Sequence, residues 1–145
     1  MAKTKSDKTD IDKGGCVCGA NRFEAKGNPT KVIYCHCGFC RNQTGAPAVV
    51  FVVYNRDQIQ FTRGVRRIYE SGPGAMRGFC DQCGTPLSWE GDAGGVQAVE
   101  FYIGVMDEPE KFPPTLHASV KERLSWFDVN DGLPRHQGSS NEPAD

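Results

Sequence analysis

The chain has 145 residues, which is enough for one domain with a single core. Its formal net charge is -1 and its sequence pI is about 6.3, so no broad basic field is available to hold nucleic acid, and no apolar run approaches the length of a membrane-spanning helix. The 17 glycines and 9 prolines are typical of a turn-rich, mostly β protein.

The first residues are polar and contain nothing to bury, so we expect a disordered N-terminal arm at residues 1–13. This arm also lacks the apolar region of a secretory signal. Order is expected to begin at Gly14, with one zinc-binding domain over residues 14–136 and a flexible C-terminal tail at 137–145.

Runs of β-branched and aromatic residues between turn signals predict a series of strands along the chain. The predicted strands are Asn21–Ala25, Lys31–Tyr34, Ala48–Tyr54, Gln58–Thr62, Arg66–Glu70, Met76–Phe79, Pro86–Glu90 and Val96–Val105. A helical turn is expected at Asp107–Phe112, and Leu116–Phe127 fits either a strand or a short helix. The fold class predicted is mainly β with minor helix.

Three thiols fall within six residues at Cys35, Cys37 and Cys40. Thiolates so close repel one another unless a cation holds them, and the soft cation that best fits this spacing is zinc. The other four cysteines form two pairs, Cys16 with Cys18 and Cys80 with Cys83. An odd number of tightly spaced cysteines favours metal ligation in a reducing compartment over a disulfide framework, so we expect a cytoplasmic protein.

The seven cysteines divide into metal sites in two ways. If the triplet acts as a unit, the outer pairs complete a closed four-thiolate site and the triplet is an open, three-thiolate site. Alternatively, the Cys-x-x-Cys pairs at Cys37/Cys40 and Cys80/Cys83 form an ordinary zinc ribbon. Spacing alone leaves both divisions open, and every cysteine could be purely structural.

The motifs around the cysteines resemble a known family in order and spacing. These motifs are Gly15-Cys16-x-Cys18-Gly19, Cys35-His36-Cys37-x-x-Cys40-Arg41, Thr44-Gly45-Ala46 and Arg77-x-Phe79-Cys80-x-x-Cys83-Gly84-Thr85-Pro86-Leu87. Together they resemble the glutathione-dependent formaldehyde-activating enzyme family, which is also described as centromere-protein-V-like. The match continues weakly through His117, Trp126-Phe127-Asp128, Asp131 and Leu133-Pro134.

This resemblance implies a Mss4-like β-tent fold and two zinc ions per chain. It implies that Cys16, Cys18, Cys80 and Cys83 hold a structural zinc, and that Cys35, Cys37 and Cys40 hold a catalytic zinc. The activity implied is that of a carbon–sulfur lyase or synthase, which joins formaldehyde and glutathione reversibly as S-hydroxymethylglutathione. The partner expected is therefore a small thiol or thiol adduct, of which glutathione is the one that the resemblance implies, with no nucleic acid and no membrane.

Three thiolates on zinc suit a fourth, exchangeable sulfur ligand, and a thiol bound there loses its proton. The hypothesis is that this thiolate attacks an aldehyde carbon. Two other classes compete with it. One is a non-catalytic, zinc-stabilised binding or structural module, and the other is a thiol-redox protein using Cys80 and Cys83. The thiol-redox interpretation is the weaker of these two, because thioredoxin-like Cys-x-x-Cys motifs lie in a βαβ unit and the sequence predicts none here.

Several residues near the clusters could have a functional role, but a structural role is the stronger interpretation for each of them. His36 is expected to orient the ligands or pack, Arg41 and Arg77 to form structural hydrogen bonds or salt bridges, and Thr44-Gly45-Ala46 to form a tight turn. His117 is expected to be structural, and Trp126 and Phe127 to be core aromatics. A homodimer could form through an edge strand at Val96–Val105.

Overall fold

The computed structural model describes residues 10–144 and has two antiparallel-rich, open β sheets. The small sheet has the strand order β1-β2-β5, and the large sheet has the order β10-β3-β4-β9-β8-β7-β6. The strands are β1 (Ile11–Gly15), β2 (Arg22–Lys26), β3 (Lys31–Cys35), β4 (Val49–Asn55), β5 (Ile59–Arg63), β6 (Arg67–Gly72), β7 (Ala75–Phe79), β8 (Pro86–Ala93), β9 (Val96–Tyr102) and β10 (Leu116–Ala118).

Helical structure is limited to one α-helix and a few single turns. The helix α1 spans Gly38–Thr44 and directly follows β3. Short 3-10 turns lie at Arg56–Gln58, Ile103–Val105, Pro109–Lys111 and Val120–Glu122. Among residues 10–144, no helix is long and apolar enough to cross a membrane. The mainly β fold predicted from the sequence is confirmed.

The main core lies between the two sheets and is built from alternate residues of the central strands. Val52 and Tyr54 of β4 and Phe101 of β9 are fully buried there, and the Phe101 ring stacks on Phe23 of β2 at a centroid distance of 3.6 Å. Side chains alternate between the faces of a strand, so Phe51 and Val53 point to the opposite face of the large sheet. A second apolar cluster forms on that face.

The second cluster surrounds the cysteine triplet. It contains Cys35 and Cys40 together with Phe51, Ala98 and Tyr102. The C-terminal segment of the chain returns to this face. The backbone N–H of Ser119 donates to the carbonyl of Gly138 (2.7 Å), and Lys31 Nζ donates to Ser140 Oγ (3.0 Å) and to Asn141 Oδ1 (2.8 Å).

The structure differs from the sequence-based expectations at both ends of the chain. Residues 1–9 of the predicted arm lie outside the described residues, and β1 begins at Ile11, before the expected boundary at Gly14. Asp12 is buried in this strand and accepts a hydrogen bond from Lys111 Nζ (2.7 Å), a residue that is distant from it in the sequence. Within the predicted tail, residues 138–141 make the hydrogen bonds described above.

The prediction of an exposed edge strand at Val96–Val105 is wrong. Strand β9 ends at Tyr102, pairs with β4 on one side and with β8 on the other, and so lies inside the large sheet. The edge strands of this sheet are β10 and β6, and the first residues of β6 are exposed. The ambiguous segment that starts at Leu116 forms the short strand β10, which runs parallel to β3.

Candidate metal centres

The two outer cysteine pairs meet in one cluster. Cys16 directly follows β1 and Cys80 directly follows β7, and each is followed by a glycine-containing turn that carries the second cysteine of its pair. The four sulfur atoms of Cys16, Cys18, Cys80 and Cys83 lie within 4.8 Å of one another. The zinc-ribbon interpretation, which places Cys80 and Cys83 with Cys37 and Cys40, is therefore wrong.

The geometry of this four-cysteine cluster fits a tetrahedral metal ion. The Sγ atoms of Cys16 and Cys18 are 3.6 Å apart and those of Cys18 and Cys80 are 3.8 Å apart. Zinc–sulfur bonds of about 2.3 Å at tetrahedral angles place sulfurs roughly 3.8 Å apart. A disulfide would need a sulfur–sulfur distance of about 2.05 Å. The cluster thus has the spacing of metal ligands.

Hydrogen bonds to the sulfurs support thiolate character in the four-cysteine cluster. The backbone N–H of Asn21 donates to Cys16 Sγ (3.2 Å), and that of Gln82 donates to Cys80 Sγ (3.4 Å). A hydrogen bond from the Thr85 side chain lowers the pKa of the Cys83 thiol to about 6. The Thr85 hydroxyl also accepts from the N–H of Val17 (3.2 Å), so it links the two turns that carry the ligands.

The triplet forms a second, local cluster because of how β3 joins α1. Cys35 ends β3, Cys37 is the N-cap of α1 and Cys40 is buried within the helix. The Cys37 sulfur accepts the Cys40 backbone N–H (3.2 Å), as N-cap side chains do. All three sulfurs lie within 4.8 Å of one another, with Cys35 and Cys40 at 3.8 Å.

The three-cysteine cluster has the donor set of an open metal site. In the described part of the chain, no fourth cysteine, histidine or carboxylate joins these three sulfurs. The thiols of Cys35 and Cys40 donate toward Cys37 and lower the pKa of the Cys37 thiol, so one thiolate is already favoured here. Three sulfur donors leave one position of a tetrahedral metal free for another ligand.

Arg77 is the cationic residue of the three-cysteine cluster. Its guanidinium is buried, and its Nη1 lies 3.5 Å from Cys40 Sγ and 2.9 Å from the hydroxyl of Tyr102. The sequence interpretation of Arg77 as an ordinary structural contact missed this position, because only the pairing of β7 with β8 brings Arg77 to the cysteine face. The guanidinium offsets part of the negative charge of the thiolates.

A cavity of about 310 Å³ opens beside the three-cysteine cluster. The three sulfurs and Arg77 lie at one part of its wall, and Trp89, Asp92 and Glu100 of the large sheet line another part. Ser139, Ser140 and Asn141 of the C-terminal segment also line it. The cluster is therefore accessible to a small molecule.

His36 does not contribute to either cluster. Its Nε2 lies 2.8 Å from His117 Nδ1, and His117 Nε2 lies 2.9 Å from a carboxylate oxygen of Asp131. Both histidines are fully buried, and Tyr34 stacks on His117. The packing role expected of His36 and the structural role expected of His117 agree with this arrangement. The contact between His117 and Asp131 was not predicted, because no sequence pattern indicates it.

The remaining neighbours make structural contacts. Arg41 Nη1 donates to the carbonyls of His36 and Glu122, both at 2.6 Å. Gly45 ends α1 in the left-handed conformation, and the Thr44 hydroxyl donates to the Cys40 carbonyl (2.7 Å), which is the expected tight turn. The expectation that Trp126 is a core aromatic is wrong, because Trp126 lies in a turn outside both sheets and is 74% exposed.

Two open β sheets that carry a four-cysteine cluster and an accessible three-cysteine cluster define a small β protein with two groups of cysteines that could hold metal ions. A model of the family described as glutathione-dependent formaldehyde-activating enzyme matches residues 11–122, and the chain belongs to this family.

Two individual proteins resemble the chain. An uncharacterized lyase of Schizosaccharomyces pombe is 32% identical over 75 residues, which are 52% of this chain and 54% of the relative. The chain therefore spans about half the length of this curated relative. A crystal structure of a Rhodobacter sphaeroides protein covers 86% of this chain and 98% of its own, with 20% identity and a TM-score of 0.54, and has the same fold.

Proposed function

We propose that the protein is a zinc-dependent carbon–sulfur lyase or synthase that acts on a small thiol–aldehyde adduct, similar to S-hydroxymethylglutathione. The observation that carries this proposal is the three-cysteine cluster, which has no fourth protein ligand among the described residues and opens on a cavity. Family membership and the lyase name of the relative from Schizosaccharomyces pombe support the reaction class. The proposed catalytic residues are Cys35, Cys37 and Cys40.

The proposed zinc ligands follow from the two clusters. Cys16, Cys18, Cys80 and Cys83 would hold a structural ion, and the triplet would hold a catalytic one. When bound at the triplet, zinc supplies an exchangeable position at which a thiol is deprotonated. The reaction then forms a bond between sulfur and the aldehyde carbon, and the carbonyl oxygen takes a proton. The reverse reaction breaks the same carbon–sulfur bond.

The residues of the chain contribute positioning and charge to this reaction. The Cys37 sulfur is fixed by the Cys40 backbone N–H, so the triplet is held in one arrangement before any ligand binds. Arg77, oriented by Tyr102, places a positive charge beside Cys40 and favours anionic sulfur at the site. We also propose a cytoplasmic location, which is supported by seven free thiols.

The test is the number of zinc ions bound per chain in the wild type and in two variants. We expect two in the wild type, because there are two clusters. Cys40→Ser should retain the fold and lose one ion, since the triplet lies on a single local turn. Cys83→Ser should lose the fold, because a structural zinc contributes folding free energy directly.

The matching functional measurement uses the cobalt-substituted protein, whose visible spectrum reports the ligands of the metal. A small thiol should change this spectrum in the wild type but not in Cys40→Ser. Equal unfolding of both cysteine variants, or a spectrum that no thiol changes, would favour the alternative of a non-catalytic, zinc-stabilised module.

A further inference from the structure

We propose that the cavity beside the three-cysteine cluster selects thiols whose far end carries an ammonium group, and that Glu100 binds this group. The proposal rests on the proposed function, because it assumes that the sulfur of the ligand binds at Cys35, Cys37 and Cys40. It adds the class of the thiol and a residue that determines specificity.

The position of Glu100 follows from the register of the large sheet. Five strands place Lys31, Val53, Glu100, Trp89 and Arg77 directly opposite one another in a single row. Residues that are directly opposite share one face of a sheet. Glu100 therefore lies on the same face as Arg77, and both line the cavity.

The register also gives the separation of the Arg77 and Glu100 backbones. Arg77 and Glu100 are two strands apart, which is about 10 Å at the usual spacing between strands. The Arg77 guanidinium lies at the cysteine end of the cavity, 3.5 Å from Cys40 Sγ. Glu100 lines the same cavity as the three sulfurs but is not one of their cluster, so a ligand that reaches both needs a chain between its sulfur and its other end.

The Glu100 carboxylate is available to a ligand. Among the described residues it has no hydrogen-bond or salt-bridge partner, and the residue is half-buried on the wall of the cavity. The nearby cations make no hydrogen bond or salt bridge to it, since Lys31 Nζ binds Ser140 and Asn141 and Arg77 Nη1 binds Tyr102. Burial raises the pKa of Glu100 to about 7, and an unpaired carboxylate in such a place is costly. An ammonium group would provide the missing partner.

The rest of the wall around Glu100 also suits a cation. Asp92 lines the same cavity and adds a second carboxylate, one oxygen of which accepts the N–H of Gly95 (2.9 Å). Trp89 stands between Arg77 and Glu100 in the row and lines the cavity, so it offers an apolar surface to the carbon chain. A ligand with a terminal carboxylate would meet two like charges instead.

The test compares three thiols that differ only at the far end: aminohexanethiol, mercaptohexanol and mercaptohexanoate. Each is titrated into the cobalt-substituted protein at pH 8, where Glu100 is ionised, and the spectral change gives its Kd. We expect the ammonium thiol to bind about tenfold more tightly than the hydroxyl thiol, as one charge-assisted hydrogen bond allows. The carboxylate thiol should bind most weakly.

Variants of the wall separate this specificity from binding of the sulfur. Glu100→Gln keeps the shape of the side chain and should abolish the preference for ammonium while leaving the affinity of mercaptohexanol within about twofold. Asp92→Asn should reduce the preference by less, and it tests the second carboxylate of the wall independently of Glu100. Glu70→Gln, which removes an exposed carboxylate from β6, is the matched control and should change nothing.

The outcomes distinguish the two proposals. If no thiol changes the cobalt spectrum, the proposed function fails, and the inference fails with it. If all three thiols change the spectrum but the wild type shows no preference for ammonium, or Glu100→Gln retains that preference, the inference alone is overturned.

Discussion

Replacement of Glu100 by glutamine should stabilise the protein, and the gain should grow with pH. Glu100 is on β9 and faces the cavity near Lys31, Arg77 and Asp92. Burial raises the pKa of its carboxyl from 4.5 to about 7, and the charges of Lys31 and Arg77 oppose this only in part. The folded protein thus keeps a proton that the unfolded chain releases, and its stability falls as the pH rises through this window.

The magnitude follows from the size of the pKa change. At about 1.36 kcal/mol per pKa unit, a rise from 4.5 to about 7 costs at most roughly 3 kcal/mol of unfolding free energy above pH 7. The cost at about pH 5 is only about 1 kcal/mol, because pH 5 lies only slightly above the ordinary pKa of 4.5 and most of the window up to about 7 lies at higher pH. Glu100→Gln removes the cost, so its advantage over the wild type should increase by about 2 kcal/mol between these conditions.

The assay is urea unfolding of the zinc-loaded wild type and Glu100→Gln at pH 5 and pH 8, with tryptophan fluorescence as the readout. The comparison between the two proteins at each pH cancels the pH dependence of the zinc sites, which both contain. Glu70→Gln serves as the control, because Glu70 is exposed. An advantage that is equal at both pH values, or larger at pH 5, would refute the assignment of a half-buried, unpaired carboxyl with a raised pKa at position 100.

Three further predictions concern the stability of the fold, and each is measured by urea unfolding of the zinc-loaded protein at neutral pH. Phe101→Ala should cost about 3–5 kcal/mol, because the fully buried ring is lost from the core between the sheets; a cost below about 1 kcal/mol would contradict this. Gly14→Ala should cost about 1–3 kcal/mol, because its Cβ would lie 2.3 Å from the Val105 carbonyl oxygen; unchanged stability would exclude that close approach. Asp131→Ala should cost about 1–3 kcal/mol, because buried His117 loses a hydrogen-bond partner; no loss would mean that the pair contributes nothing.

The cysteine triplet and the central strand were readable from the sequence because their signals are local. The spacing of Cys35, Cys37 and Cys40 brings the thiols together on one turn, whatever the rest of the chain does. The apolar run at Ala48–Tyr54 is long enough to predict a buried strand, and β4 lies there. The partners of Cys80 and Cys83 were undecided by spacing, since they depend on how β1 and β7 end in space.

Glu100 shows why the cavity could not be predicted. In the sequence, Glu100 interrupts an apolar strand at a position that alternates with Val99 and Phe101, which is typical of a face exposed to water. The large sheet is instead covered on that face by residues near the C-terminus, which the sequence presents as a polar tail. Burial of this carboxyl therefore depends on contacts between residues that are distant in sequence.

The different sequence spans of the two clusters have a consequence for synthesis of the chain. The triplet closes within residues 35–40, whereas the other cluster joins Cys16 to Cys83. Closing the longer loop costs about 2 kcal/mol more in chain entropy. A nascent chain that has just emerged from the ribosome would therefore complete the triplet first, and the four-cysteine cluster would have to wait for β7. Metal supplied during translation would therefore bind first at the three-cysteine cluster. The four-cysteine cluster, which links the two turns after β1 and β7, would form later.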